Sequence, residues 1–308
     1  MPRTFARLSV LLVACCTAGF AQSYDVPTSL AVLRNLTPAT FSNLNRAATV
    51  GYAPAENALG LMYATGTGVE ANDRQALKWF RRAAEHGSEV AENNVGVMYL
   101  YGRGVPADPL QAIQWFRKAA WHASTSGQYY LGHMYLTGMG TAPDYAQALK
   151  WSRMAASKGD ASAQNNVGYI YDSGLGVPQD KSEAVSWYRK AALQGHAGAQ
   201  NNLGLMYQKG EGVTADQELA REWFQKAAEQ GYAPAQRNLA LLLVRSRDFE
   251  TAYMWLLVAE SAGSKNPPLK ETCASALTPE QMTLAEQRAA GRFLQSRPKE
   301  PATGFILR

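Results

Sequence analysis

The sequence predicts an all-α protein built as an array of stacked helical hairpins, and three observations carry that expectation. A 36-residue period runs through most of the chain, each period holds two apolar patterns with helical spacing, and glycines recur at the same places in successive copies. A single hairpin of this size cannot bury its apolar face alone, whereas a stack of them can.

The period is read directly from the residues. Gly51, Gly87, Ala123, Gly159, Gly195 and Gly231 stand 36 residues apart, with no gap between them. A Leu/Val-Gly pair recurs at 59–60, 95–96, 131–132, 167–168 and 203–204, and a tyrosine four residues beyond the leucine or valine keeps the same step. So do the tryptophans Trp79, Trp115, Trp151, Trp187 and Trp223, and the paired alanines that follow each of them. Five gapless copies exclude coincidence. A sixth begins at Gly231 and reaches register at Trp255 only with four residues deleted from its loop, where Ser246-Arg247-Asp248 replaces the glycine pair. Terminal repeats are commonly atypical, since one of their faces lacks a neighbouring unit.

Each element follows from local chemistry. In the second copy Ala91, Val95, Met98 and Tyr99 fall at i, i+4, i+7 and i+8, one face of a helix. Ala112, Trp115, Phe116, Ala119 and Ala120 form the corresponding face of a second helix. Asp108-Pro109-Leu110-Gln111 supplies that helix with an N-cap, a proline at its first position and a glutamine able to reach back, and Asn72, Asp144 and Asp180 repeat the device. Gly102 stands where the first helix must end and Gly104 two residues later, and glycine alone takes a left-handed backbone without a Cβ clash. A phosphate loop would need a preceding strand and a Lys-Ser/Thr pair at the helix start, and neither is present.

The domain boundaries expected are a leader over 1–21, N-terminal capping helices over 22–50, and six repeats over 51–262. The repeats divide as 51–86, 87–122, 123–158, 159–194, 195–230 and 231–262, ahead of a C-terminal capping hairpin over 263–297 and a mobile tail over 298–308. Arg3 and Arg7 precede the apolar run 8–14, and Gly19-Phe20-Ala21 offers a cleavage site, a secretory pattern too short to remain as a spanning helix. Leu12-Val13-Ala14-Cys15 also matches the lipobox of bacterial lipoproteins, so lipidation at Cys15 is the alternative to cleavage after Ala21. Either route exports the protein, with the periplasm as the expected destination and the outer membrane or the medium as alternatives.

Composition is that of a soluble protein, 46% apolar and 18% charged. Losing Arg3 and Arg7 takes the net charge from +5 to +3, too small an excess to argue for nucleic acid. After cleavage only Cys273 remains, so stability rests on packing; the thiol is read as a small buried hydrophobe, with intermolecular pairing as the other option.

The recurring columns resemble the Sel-1-like repeat, a relative of the tetratricopeptide repeat. The pattern A-x-x-x-L-G-x-x-Y-x-x-G-x-G-V-x-x-D-x-x-x-A-x-x-W-x-x-x-A-A-x-x-G is nearly whole between Ala199 and Gly231, and the resemblance spans about residues 37 to 263. It implies an α-solenoid, a right-handed superhelix of antiparallel helix pairs with a concave groove lined by the first helices. Some cysteine-rich members have been linked to β-lactam chemistry, but the paired cysteines of those members are missing here.

If the first helices line a groove, its columns hold Asn57, Leu61 and Ala64; Asn93, Val97 and Leu100; Tyr129, His133 and Leu136; Asn165, Tyr169 and Asp172; and Asn201, Leu205 and Gln208. An asparagine ladder can hydrogen-bond the backbone of an extended peptide, and it can equally bond neighbouring helices or water. In the third repeat Tyr129 and Tyr130 replace the asparagine pair, and with His133, Tyr101 and Tyr169 they form an aromatic cluster suited either to anchoring a partner or to packing between repeats. His86 and His122 share a column at a helix C-terminus, where a cation suits the dipole, and His196 is expected to be solvated.

No H-E-x-x-H, G-x-S-x-G, C-x-x-C or Walker sequence occurs, and the Ser-x-x-Lys from Ser296 to Lys299 holds a proline that keeps the pair off one helix face. The expectation is an exported, non-catalytic scaffold that binds a protein or peptide, with no cofactor, metal or nucleic acid, and with membrane attachment only through a lipid at Cys15. An envelope enzyme, or a regulator of peptidoglycan-processing enzymes, is the alternative.

Overall fold

A computed structural model describes residues 38–295, and among these it contains fifteen α-helices. The leader, Cys15, the Ser296–Lys299 pair and the C-terminal tail lie outside the described residues, as does the greater part of the N-terminal cap. The chain forms two compact units, one running to Lys158 and the other starting at Gly159.

In the first unit a capping helix α1 (Pro38–Thr49) precedes three hairpins, α2 (Ala53–Thr65) with α3 (Asp73–Glu85), α4 (Glu89–Tyr101) with α5 (Pro109–Trp121), and α6 (Thr125–Thr137) with α7 (Tyr145–Ser157). In the second, α8 (Ala161–Ser173) pairs with α9 (Lys181–Leu193), α10 (Ala197–Lys209) with α11 (Gln217–Glu229), and α12 (Ala233–Arg245) with α13 (Phe249–Ser261). Helices α14 (Pro267–Ser275) and α15 (Pro279–Gln295) then pack on α13, and Cys273 is fully buried in that core. Within each unit the helices as far as α13 pack each on the one before and the one after it, the arrangement of an α-solenoid.

The capping signals work as the sequence predicts. Asn72, Asp108, Asp144, Asp180 and Asp216 each accept a hydrogen bond from the backbone N–H three residues on, at 2.9–3.1 Å. Gly102 ends α4 at φ +65°, and Gly104 is left-handed too, for a second reason. A Cβ on Gly104 would stand 2.4 Å from the carbonyl oxygen of Asp73, because the turn presses on the start of α3. Gly212 meets Lys181 in the same way at 2.2 Å. Two positions do this work without glycine: Ala123 and Arg247 hold φ near +63°, a conformation that is strained for a residue with a Cβ.

The mid-helix glycines have a packing cause. A Cβ on Gly60, Gly96, Gly168 or Gly204 would lie 2.4–2.7 Å from the ring of Phe80, Phe116, Tyr188 or Phe224, so glycine lets the second helix press its aromatic residue against the first. The third repeat differs, because Ser152 stands where the others carry a ring, and Tyr130 stacks on Phe116 at 4.7 Å.

Candidate functional site

The face expected to line a groove divides sharply along the chain. At the central position of each triplet, Leu61, Val97 and His133 of the first unit are 0%, 5% and 4% exposed, while Tyr169 of the second is 38% exposed and Leu205 is half-buried. Of the residues proposed to contact a partner, Asn57, Asn93, Tyr129, His133 and Asn201 are therefore buried and offer a partner almost no surface. Asn165, Asp172 and Gln208 are half-buried, and Tyr169 alone is exposed.

The asparagines are buried because they tie repeats together. Asn94 Nδ2 donates to Asn57 Oδ1 at 2.9 Å, Asn202 to Asn165 at 3.1 Å and Asn238 to Asn201 at 2.8 Å, each bond crossing from one first helix to that of the preceding repeat. The second asparagine of one copy thus donates to the first asparagine of the copy before it. Tyr130 breaks the series, and Asn93 Oδ1 is left buried without a hydrogen-bond partner. The aromatic cluster of the third repeat is core: Tyr129, Tyr130 and His133 are all at least nine-tenths buried, with Tyr129 5.1 Å from Tyr130 and 5.9 Å from His133 between ring centres. Burial lowers the His133 pKa to about 4, so the ring is neutral.

His196 is half-buried rather than fully solvated. It is the N-cap of α10, its Nδ1 accepting from Ala199 N at 3.1 Å, and burial lowers its pKa, which preserves the lone pair the cap requires.

On α8 and α10 the open face has definite chemistry. The Asp172 carboxylate is held by Lys181 Nζ at 2.5 Å and by the Tyr188 hydroxyl at 3.2 Å, and Lys181 also meets Glu211 at 3.0 Å. The hydrogen bond to Asp172 raises the Lys181 pKa, so the lysine keeps its charge beside the acid. Gln208 Nε2 is buried and has no hydrogen-bond partner, leaving a donor at the end of the Asn201, Leu205, Gln208 stripe. The face presents an exposed aromatic ring and, beside it, a half-buried apolar side chain.

Sequence reasoning missed the clamps that close four of the six hairpins. The buried Glu56 accepts from His86 Nδ1 at 2.7 Å and pairs with Arg82 at 3.1 Å, and Glu92 accepts from His122 at 2.9 Å. Thirty residues apart again, Gln194 donates to Gln164 at 2.7 Å and Gln230 to Gln200 at 2.8 Å. The signal was present, since acid faces histidine and glutamine faces glutamine in columns 30 residues apart. Arginines on the second helices likewise donate to the tyrosine hydroxyl of the next repeat, Arg81 to Tyr99, Arg117 to Tyr135 and Arg189 to Tyr207.

Helix pairs of one length, tied by repeated side-chain struts and opening an aromatic face, define a helical-repeat scaffold of the kind that binds other proteins. The Sel1 repeat profile matches residues 53–88, 90–120, 125–160, 161–196, 197–232 and 233–264, and the chain belongs to the Sel1 repeat family. A Sel1 repeat protein from Oxalobacter formigenes is 32% identical with a TM-score of 0.64, the match covering 73% of this chain and 88% of that one. A protective antigen of uropathogenic Escherichia coli strains, described as displaying the same fold, is 30% identical with a TM-score of 0.60 over 87% of this chain and 68% of its own. No functionally curated protein matches the chain.

Proposed function

We propose that the chain is an exported, non-catalytic scaffold that binds a protein or peptide partner on the face of α8 and α10. Export rests on the charged and apolar leader with its small-residue cleavage site. The binding assignment rests on one observation: the column that buries Leu61, Val97 and His133 opens at Tyr169. A tyrosine exposed on a rigid helix, with the half-buried Leu205 on the neighbouring first helix, suits a peptide whose side chains need an aromatic and apolar rest.

A photo-crosslinking residue placed at Tyr169 or Gln208 in the producing organism captures the same defined partner from both positions, and at the exposed Gln225 of α11 it captures none. Equal capture at all three positions removes the assignment. Incubated with peptidoglycan, the purified protein releases no soluble fragments; release would overturn the non-catalytic half of the reading.

A further inference from the structure

The two sets of helices in the first unit differ in charge. Helices α3, α5 and α7 carry eight lysines and arginines against two acidic residues, while α2, α4 and α6 carry three glutamates and no basic residue. In the second unit α9 and α11 hold five basic residues against four acidic ones, so the bias belongs to the first unit. The net charge of the chain conceals it.

The basic residues form a surface. On α5, Arg117 and Lys118 stand four and three residues before Trp121 and all three are exposed; one repeat later on α7, Lys150, Arg153 and Met154, at i, i+3 and i+4, are exposed as well. Trp121 is 81% exposed, an unusual state for an indole. The other tryptophans of these helices differ, because each carries a cation on its ring: Arg82 over Trp79 at 4.9 Å, Lys118 over Trp115 at 4.2 Å and Lys150 over Trp151 at 5.1 Å. Those rings hold the charges in place and are unavailable for stacking with bases, which leaves a single open indole among ordered cations.

We propose that this face of α3, α5 and α7 docks on an anionic phospholipid surface, with Trp121 as the interfacial anchor and the flanking lysines and arginines on the lipid phosphates. Charge complementarity selects the occupant, and the lone indole selects a bilayer interface, where tryptophan sits at headgroup depth and basic side chains reach the phosphates along their aliphatic stems. Among the described residues no helix is long and apolar enough to cross a membrane, so the contact is peripheral. It would operate without any lipid on Cys15.

The test is flotation of the purified full-length protein, shown by mass to carry no lipid, with vesicles of phosphatidylcholine alone or with about 30 mol% phosphatidylglycerol. The expected result is retention by the anionic vesicles only, weakened by salt, with tryptophan fluorescence quenched by brominated lipid. Trp121→Ser abolishes the quenching and lowers partitioning about fivefold, and reversing the charge of the exposed Lys78 of α3 together with Lys150 of α7 (Lys78→Glu with Lys150→Glu) lowers it about tenfold or more, in variants whose helical circular dichroism and melting match wild type. Failure to float with anionic vesicles at low salt, or undiminished partitioning in both variants, overturns the proposal. So does tighter binding to a mixed-sequence single-stranded oligonucleotide than to the vesicles.

Discussion

His133 provides the most quantitative check on the packing of the third repeat. Its ring is 4% exposed, and burial takes its pKa from 6.5 in the open chain to about 4 in the fold. The unfolded chain therefore binds more protons than the folded one between those values, and stability falls as pH falls through that interval. Setting the two pKa values into the linkage relation gives a loss of about 2 kcal/mol between about pH 7.5 and about pH 5, with almost none above neutrality. His133→Leu places at this position the residue found at Leu61 and Leu205, and removes that term. Urea unfolding followed by tryptophan fluorescence at the two pH values measures the difference between wild type and variant, provided the urea dependence stays the same. If wild type loses no more stability than the leucine variant over the interval, the imidazole titrates freely and the buried placement of the cluster is wrong.

Other substitutions probe the struts and the strained turns. Ala123→Gly relieves a left-handed alanine and raises stability by about 1 kcal/mol, read as a higher melting temperature. Glu56→Gln strips His86 and Arg82 of their buried acid and costs about 1–3 kcal/mol, whereas adding His86→Gln recovers much of that loss by recreating the Gln164–Gln194 pair; a double-mutant cycle reads the coupling. Asn238→Ala leaves Asn201 Oδ1 without its donor and costs about 1–3 kcal/mol in denaturant unfolding.

The fold was legible because each repeat states it again. One helix of 13 residues and one glycine pair would be weak evidence, but five copies in register turn each cap and glycine into a confirmed column. The candidate site was harder to read, for a physical reason. A polar column fits an open ladder and bonds between helices equally well, and at Asn57 and Asn201 the second holds, because a buried amide is stable when the next repeat supplies its partner. Register alone identifies which residues share a face; whether the face is open depends on what packs over it, and Leu61 and Tyr169 occupy the same column with opposite outcomes. The cap role of His196 is written in its column, which holds the N-caps Asp160, Ser124 and Ser88 one, two and three repeats earlier.

The turns between paired helices carry one more property. Arg103, between Gly102 and Gly104, binds Asp73 of the preceding repeat through two nitrogens at 2.5 and 3.2 Å, while Glu211, at the same place in the fifth repeat, binds Lys181 at 3.0 Å. The polarity of the contact is reversed between the two units. Exchanging the second and fifth copies by recombination would set Glu211 against Asp73 and Arg103 against Lys181, like charge against like. Copies that match in length and signature are thereby not interchangeable, and the order of the repeats in the gene is written into the charge of their turns.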